Sequence, residues 1–311
     1  MASHMPAGYA EDRLHRYLAH WTRDPSNVSK LDIAAITWAT EEERRARQKK
    51  YCQVASDYYD LVTPLYEQGW GQHFHYTPLT PGLSIRESMT AYEKTFSGLA
   101  RLKKDMRVLD LGCGIGGPAR TIASTIGCRI MGITNNAWHV ERGTALTKEA
   151  GLEHLITFIE GDFLKLPFAD ESFDAAYSIE SLCHAPDPAE VYREVKRVLK
   201  PGAPFTFHEF AMTEHSPAPW YYGPAGDIGW AWKIPGWPDF WKVFQMWDPF
   251  RGCAHAVYRV MILVGMAPPE VSTLMDTMWY CTRSVVQGGR MGIFTPMYVF
   301  VCRKPAGGLE S

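Results

Sequence analysis

The stretch Val108-Leu-Asp-Leu-Gly-Cys-Gly-Ile-Gly-Gly-Pro118 decides the fold. Arg107 to Leu111 is a short apolar strand candidate, a glycine cluster follows it at once, and a helix is expected from Pro118. Glycine at a strand-to-helix turn lets the backbone adopt unusual dihedrals and approach a ligand closely. Outward from this turn the texture alternates. Strand candidates at Cys128 to Thr134, Ile156 to Glu160, Phe173 to Ile179 and Phe205 to Phe210 are interleaved with helices at Ala137 to Ala150 and Ala189 to Leu199. Helices of that length between strands imply right-handed crossovers and a parallel sheet covered on both faces, so the fold class is α/β.

The flanks read differently. The first hundred residues are helical in pattern: Leu14, Tyr17, Leu18 and Trp21 recur at helical spacing, as do Tyr51, Val54, Ala55, Tyr58 and Tyr59. Glycines and prolines punctuate Thr63 to Leu83, and Ser84 to Leu99 resumes the helical period. Beyond Ala211, Pro217 to Phe250 is loaded with Trp, Tyr, Pro and Gly and is too apolar for a free linker. Helices are expected at His255 to Gly265 and Val271 to Gln287, and a late strand at Phe294 to Cys302 whose start Pro296 should make irregular. This divides the chain into a helical N-terminal cap (6–100), a cofactor-binding core (101–213), an aromatic-rich substrate cap (214–290) and a final core strand (291–305). Residues 1–5 (MASHM) read as an expression remnant.

Composition narrows the function classes. With 46% hydrophobic and 13% aromatic residues in 311, a sizeable core can be buried, and a net charge of -2 leaves no basic footprint for nucleic acid. The basic run Arg44 to Lys50 follows Glu41, Glu42 and Glu43, an alternation suited to a solvated helix face. Seven scattered cysteines without a Cys-x-x-Cys pair argue against a disulfide framework or a zinc site, so no metal is expected. Val257 to Ala267 is interrupted by Arg259 and too short to span a bilayer, so no transmembrane segment is expected. Reduced thiols in a cytoplasmic compartment fit these features.

Three strand ends point to the cofactor. Asp110 stands two residues before the first glycine, Gly112, where a carboxylate can meet a cationic amino-acid ligand beside Gly114. The second strand ends in Asn135 and Asn136, amides able to reach ribose hydroxyls. The third ends in Glu160-Gly-Asp162-Phe163, an acid placed for an adenine amine with a ring to pack on the base. Polar strand ends at a topological switch point are where open α/β sheets bind ligands. A ligand with ammonium, sulfonium, ribose and adenine matches this set better than a dinucleotide, and S-adenosylmethionine (SAM) is the expected cofactor.

Longer blocks carry a resemblance. Tyr58-Tyr-Asp-Leu-Val-Thr, Tyr66-Glu-Gln-Gly-Trp-Gly-Gln-His-Phe-His-Tyr, Gly132-Ile-Thr-Asn-Asn, Ile179-Glu-Ser-Leu-Cys-His-Ala-Pro, Leu199-Lys-Pro-Gly, Pro219-Trp-Tyr-Tyr and Phe294-Thr-Pro-Met stand beside the glycine turn. From about Tyr51 onward the chain resembles the sterol 24-C-methyltransferases within the class I SAM-dependent methyltransferases. The resemblance implies a Rossmann-like sheet. It departs at Gln68, where the family usually places an aromatic, and between Thr213 and Pro219, where residues that would carry a helix and an edge strand are missing. One outer strand is therefore expected to be absent, with the Trp-rich insert covering that edge.

The family's chemistry adds a methyl to an isoprenoid alkene and leaves a carbocation, which then loses a proton or cyclises. Such a site needs aromatic walls and one modestly basic group. Tyr58, Tyr66, Trp70, Phe74, Tyr76, Trp220, Tyr221 and Tyr222 supply rings, with Trp70 assigned to the cofactor set. The resemblance makes His184, Glu180, Tyr66 and Glu67 the catalytic candidates, with Glu67 and Glu209 second-rank, for binding a polar head group or polarising a Tyr or His. A prenyl diphosphate C-methyltransferase or cyclase is the alternative, though Arg251, Arg259, Arg283 and Arg290 are not clustered in sequence, and small-molecule O- or N-methylation is a third. Helical residues 9–50 are expected either to close over the site or to meet a second copy in a homo-oligomer.

Overall fold

A computed structural model describes residues 9–20, 22, 40–212, 231–233 and 294–306. The helices expected at His255 to Gly265 and Val271 to Gln287, and nearly all of Pro217 to Phe250, lie outside the described residues. Described residues up to Pro64 form one compact unit and those from Leu65 form another.

In the first unit, helix α1 (Tyr9–Ala19) buries Leu14 and Leu18, one turn apart on a single face. Helix α2 (Glu41–Gln48) opens with a capping box in which Thr40 and Glu43 satisfy each other's backbone N–H groups. Helix α3 (Tyr51–Gly69) contains Pro64 and runs on into the second unit. Proline has no N–H, so the carbonyl of Asp60, four residues earlier, loses its helical partner. Arg13 Nη1 donates to that carbonyl at 2.7 Å. A side chain of α1 thus repairs the gap that Pro64 leaves in α3.

The second unit begins with the end of α3 and helix α4 (Ile85–Leu99), whose start is fixed by a second capping box, Ser84 with Glu87. A mixed sheet follows. Its strands are β1 (Arg107–Leu111), β2 (Arg129–Thr134), β3 (Ile156–Glu160), β4 (Ala175–Ile179), β5 (Pro204–Met212), β6 (Ala231–Lys233) and β7 (Phe294–Arg303). The order is β3-β2-β1-β4-β5-β7-β6. Strands β1 to β5 run parallel to one another, while β7 runs antiparallel to both β5 and β6. Helices α5 (Gly117–Ile126), α6 (Ala137–Glu149) and α7 (Pro188–Val198) connect the parallel strands.

Two expectations change here. The sheet is mixed rather than wholly parallel, an antiparallel edge on a parallel sheet being a common arrangement. The outer strand expected to be missing is present in brief: Ala231–Lys233, three residues from within the Trp-rich stretch, pairs with Tyr298–Phe300 of β7. The expected irregularity at Pro296 is found, because the register jumps from Glu209↔Tyr298 to Ala211↔Thr295. Proline cannot donate to a ladder, so the pairing skips it.

Alternation along β1 builds two cores. Val108 faces a cluster with Tyr92 and Phe96 of α4 and Ala119 and Ile122 of α5, while Leu109 and Leu111 face one with Val191 and Val195 of α7. Successive strand residues point to opposite faces, so a sheet covered on both sides needs apolar residues at nearly every position. The polar exception among the buried residues of β1, Asp110, marks the site.

Candidate active site

The switch point lies at β1, from which the strand order runs outward in both directions. Asp110 sits at the end of β1 between Gly132 of β2 and Tyr177 of β4. Its carboxylate accepts a 2.8 Å bond from the Tyr177 hydroxyl and is 3% exposed. Desolvation pushes its pKa up to about 7, against the lowering by Tyr177 and with help from the negative charge of Glu93.

The turn after β1 is shaped by Gly112, Gly114 and Gly116, at φ of 72°, 52° and 76°. Gly112 is irreplaceable on two counts: its φ is left-handed, and a Cβ there would overlap the Ser181 side chain. Ser181 itself is fixed, donating to the Leu111 carbonyl at 2.6 Å. A Cβ at Gly117 would overlap the Gln72 carbonyl oxygen, so the segment after α3 crosses directly over the start of α5. Arg120 locks that crossing, donating to Ile115 O at 2.7 Å and to Gln72 Oε1 at 2.8 Å. Burial lowers this guanidinium to about 10, still cationic at neutral pH.

The crossing segment carries the rings. Tyr66 lies 6.2 Å from Trp70 and 5.4 Å from Phe74, and Trp70 meets Tyr76 edge-on at 5.8 Å. Phe74 stands 3.7 Å from where a Cβ of Gly114 would be, which sets the cluster against the glycine turn. Tyr76 N–H donates to Glu180 Oε1 at 2.8 Å. Glu180 follows β4 in the left-handed region at φ 52°, a conformation that costs a non-glycine residue about 1–2 kcal/mol. The bond from Tyr76 and the Glu180 N–H bond to the His208 carbonyl (2.7 Å) hold it there. Strain of this kind gathers where a side chain must be aimed.

Glu180 is the most perturbed acid beside the rings. Its carboxyl is drawn well above the usual range by desolvation and by Glu209, the Tyr76 N–H offsetting only part. Burial, Glu180 and Tyr66 together push the Tyr76 hydroxyl up as well, which ties the acid and the rings into one electrostatic site. The His208 Nε2 lies 3.5 Å from Glu180 Oε1, and Glu209 accepts from Leu182 N at 2.6 Å.

Other expected site residues fare unevenly. His184 ends a short 3-10 turn, Leu182–His184; it is half-buried by surface, yet desolvation lowers its imidazole to about 4 and keeps it neutral. Glu67 is held by Arg142 of α6 through both carboxylate oxygens at 2.8–3.2 Å, so its structural engagement is an ion pair. Asn136, expected at a ribose, caps α6 through Oδ1 to His139 N at 2.9 Å, because a short amide before a helix satisfies an otherwise orphaned donor. Asn135 is half-buried beside it, and Asp162 turns one oxygen to Leu164 N at 2.7 Å with Phe163 half-buried next in chain. Tyr58 belongs to the first compact unit, packing at 5.5 Å on Tyr17. Trp220, Tyr221, Tyr222, Arg251, Arg259, Arg283 and Arg290 lie outside the described residues.

SAM fits these groups. The glycine turn leaves open space next to Gly114, where a Cβ would meet only Phe74, and Asp110 is a buried acid suited to an ammonium. Asn135, Asp162, Phe163 and Trp70 would complete the set. A pH dependence follows. Asp110 must ionise to hold a cation, so SAM affinity should rise about tenfold per pH unit approaching pH 7 and level off above it. The apo protein moves oppositely: a carboxyl raised in the folded state contributes stability that is fully present below about pH 4 and is lost as pH climbs to about 7. Calorimetric titration across this range checks the first trend, and Asp110→Asn should flatten it.

Fold and turn together define a SAM-dependent methyltransferase, and residues 109–207 match the methyltransferase domain family. Residues 241–306 match the sterol methyltransferase C-terminal family. The chain is 32% identical to sterol 24-C-methyltransferase of Gibberella zeae over 93% of its own length and 86% of that protein's. It is 33% identical to cycloartenol-C-24-methyltransferase 1 of Oryza sativa subsp. japonica, over 85% and 88%. The crystal structure of the (4+2)-cyclase SpnF shares the fold, with a TM-score of 0.65 at 23% identity over 83% of this chain and 97% of that one. The chain belongs to the sterol 24-C-methyltransferase family. Among the described residues no helix is long and apolar enough to cross a membrane.

Missed from sequence were His73, His75, Glu93 and His208. Both His73 and His75 stand in the Trp70 block, but Glu93, which contacts both, is separated from them by 20 and 18 residues and sits in an ordinary helical pattern.

Proposed function

We propose that the protein transfers a methyl group from SAM to an alkene carbon of an isoprenoid, a sterol side chain or another prenyl chain, and that Glu180 takes the proton lost afterwards. The observation that carries this reading is the buried Glu180 side chain, which accepts at 2.8 Å from the Tyr76 backbone N–H beside the Tyr66–Trp70–Phe74–Tyr76 rings and whose pKa burial drives upward.

SAM supplies, when bound, a methyl group made electrophilic by its sulfonium. An alkene is a weak nucleophile, so this chain's first task is alignment, and fixed aromatic walls do that while excluding water. The π electrons form the new carbon–carbon bond as the sulfur–methyl bond breaks with its electrons left on sulfur, and a cation remains on the adjacent carbon. The faces of Tyr66, Trp70 and Tyr76 attract that charge. A neighbouring C–H bond then breaks, its electrons form an alkene, and the proton goes to a Glu180 oxygen. Desolvation favours the protonated form of Glu180, so its resting proton must first pass on, and a cation nearby favours the ionised form that then accepts from the C–H bond. His208, 3.5 Å away, is placed to relieve Glu180 of the proton.

The test is direct. The protein is incubated with methyl-labelled SAM and a panel of a Δ24 sterol, farnesyl and geranyl diphosphates and a prenylated aromatic, and products are identified by mass spectrometry. Label on a former alkene carbon is expected. Label only on oxygen or nitrogen overturns the reading, and label on a diphosphate alone moves it to prenyl diphosphates.

A further inference from the structure

His73 and His75 converge on one oxygen. His73 Nδ1 lies 2.7 Å and His75 Nε2 2.8 Å from Glu93 Oε1, and the three ligand-type atoms fall within 4.8 Å of one another. All three residues belong to the second compact unit, two on the ring-bearing segment and one on α4. Glu93 and His75 side chains are 0% and 1% exposed, His73 15%.

The hydrogen bonds constrain what sits between them. His75 Nδ1 lies 2.8 Å from the Tyr76 carbonyl oxygen, which can only accept, so Nδ1 carries a hydrogen. A neutral His75 then points a bare Nε2 lone pair at a carboxylate oxygen. Two acceptors at that distance need something positive between them, a proton or a metal ion. The second oxygen, Glu93 Oε2, is buried without a hydrogen-bond partner. Buried polar atoms are otherwise satisfied, and such an exception calls for an explanation.

We propose that His73, His75 and Glu93 bind one divalent transition-metal ion of the zinc type. Two imidazole nitrogens and one carboxylate are a donor set suited to Zn2+. The Nδ1–H bond from His75 to a backbone carbonyl is how a metal-binding histidine has its ring and tautomer fixed. Metal–ligand bonds of about 2.0–2.1 Å place tetrahedral donors about 3.3 Å apart, so each imidazole nitrogen needs to move only about half an ångström away from Glu93 Oε1, and the two nitrogens, within 4.8 Å of each other, settle to the same spacing. Glu93 Oε2 or a water fills the fourth position, with access from the half-buried His73 side. The metal would pin the segment carrying Phe74 and Tyr76 to α4. Its role is therefore positioning of the rings.

The experiment uses the full chain, stripped with a chelator and titrated with Co2+ alone, then with Zn2+ alone. Expected are one equivalent bound, the intense visible absorption of four-coordinate Co2+, and a rise in Tm on adding Zn2+. Glu93→Gln and His75→Ala should weaken binding at least about 100-fold, and His154→Ala, at an exposed histidine, should not. No stoichiometric metal on the unaltered chain overturns the proposal whatever the variants do; so does binding unchanged in both Glu93→Gln and His75→Ala. Neither readout involves methyl transfer, so failure here leaves the alkene-methylation reading standing, and the reverse holds as well.

Discussion

Glu180→Gln should lower methyl transfer by about 100-fold or more, in line with the loss of a placed general base. Glutamine keeps an oxygen to accept the Tyr76 N–H, so the 2.8 Å bond that fixes the segment survives and the fold with it. SAM affinity should change little, because the substitution removes a proton acceptor rather than a cofactor contact. The loss should appear in kcat more than in KM, since the interaction matters only once the cation exists. His184→Ala is the companion measurement. His184 is neutral and therefore able to accept a proton, but Glu180 is the acid bonded to the ring-bearing segment. Full loss in His184→Ala with turnover retained in Glu180→Gln would hand the role to the histidine. Retention in both would mean that the proton leaves without help from either.

The second large effect belongs to Gly112→Ala. Left-handed backbone costs alanine about 1–2 kcal/mol, and forcing a methyl into the filled space at Ser181 costs about 1–3 kcal/mol more. At about 2–4 °C per kcal/mol for a domain of this size, Tm should fall by roughly 4–20 °C. SAM binding should be lost together with it, because Ser181 cannot yield without releasing Leu111. Gly82→Ala separates the two causes: Gly82 has φ +86° with nothing within 4 Å of a Cβ, so it carries the backbone strain alone. If Gly112→Ala proves no worse than Gly82→Ala, the overlap at Ser181 has been overvalued.

How far the sequence was legible depends on the range of each interaction. Strands β1 and β3 were readable to the residue, β1 because a central strand covered on both faces demands a nearly continuous apolar run, and β3 because Ile156 and Phe158 alternate with an exposed Thr157 at the sheet edge. The N-caps Ser84 and Asn136 sit where local rules put them, and the second shows the limit: an Asn after a strand looks alike whether it meets ribose or caps a helix. Strand β6 was hidden, since its three residues gain strand form only by lying along β7. Glu67 read as a free acid until Arg142, 75 residues on, was placed beside it. Glu180 was visible as a candidate, but its elevated basicity was not, because burial and Glu209 are tertiary facts. Chemistry carried by a motif could be read; chemistry carried by an environment could not.

The Arg13 bond to the Asp60 carbonyl has an evolutionary consequence. While residue 64 is proline, the arginine gives the Asp60 carbonyl a donor in place of the helical N–H that is missing; with any other residue at 64, the helix supplies that donor itself. The two positions, 51 apart in the chain, are thus epistatic. Loss of the arginine should therefore be tolerated better in a lineage without the proline, and gain of the proline better in a lineage that already has the arginine.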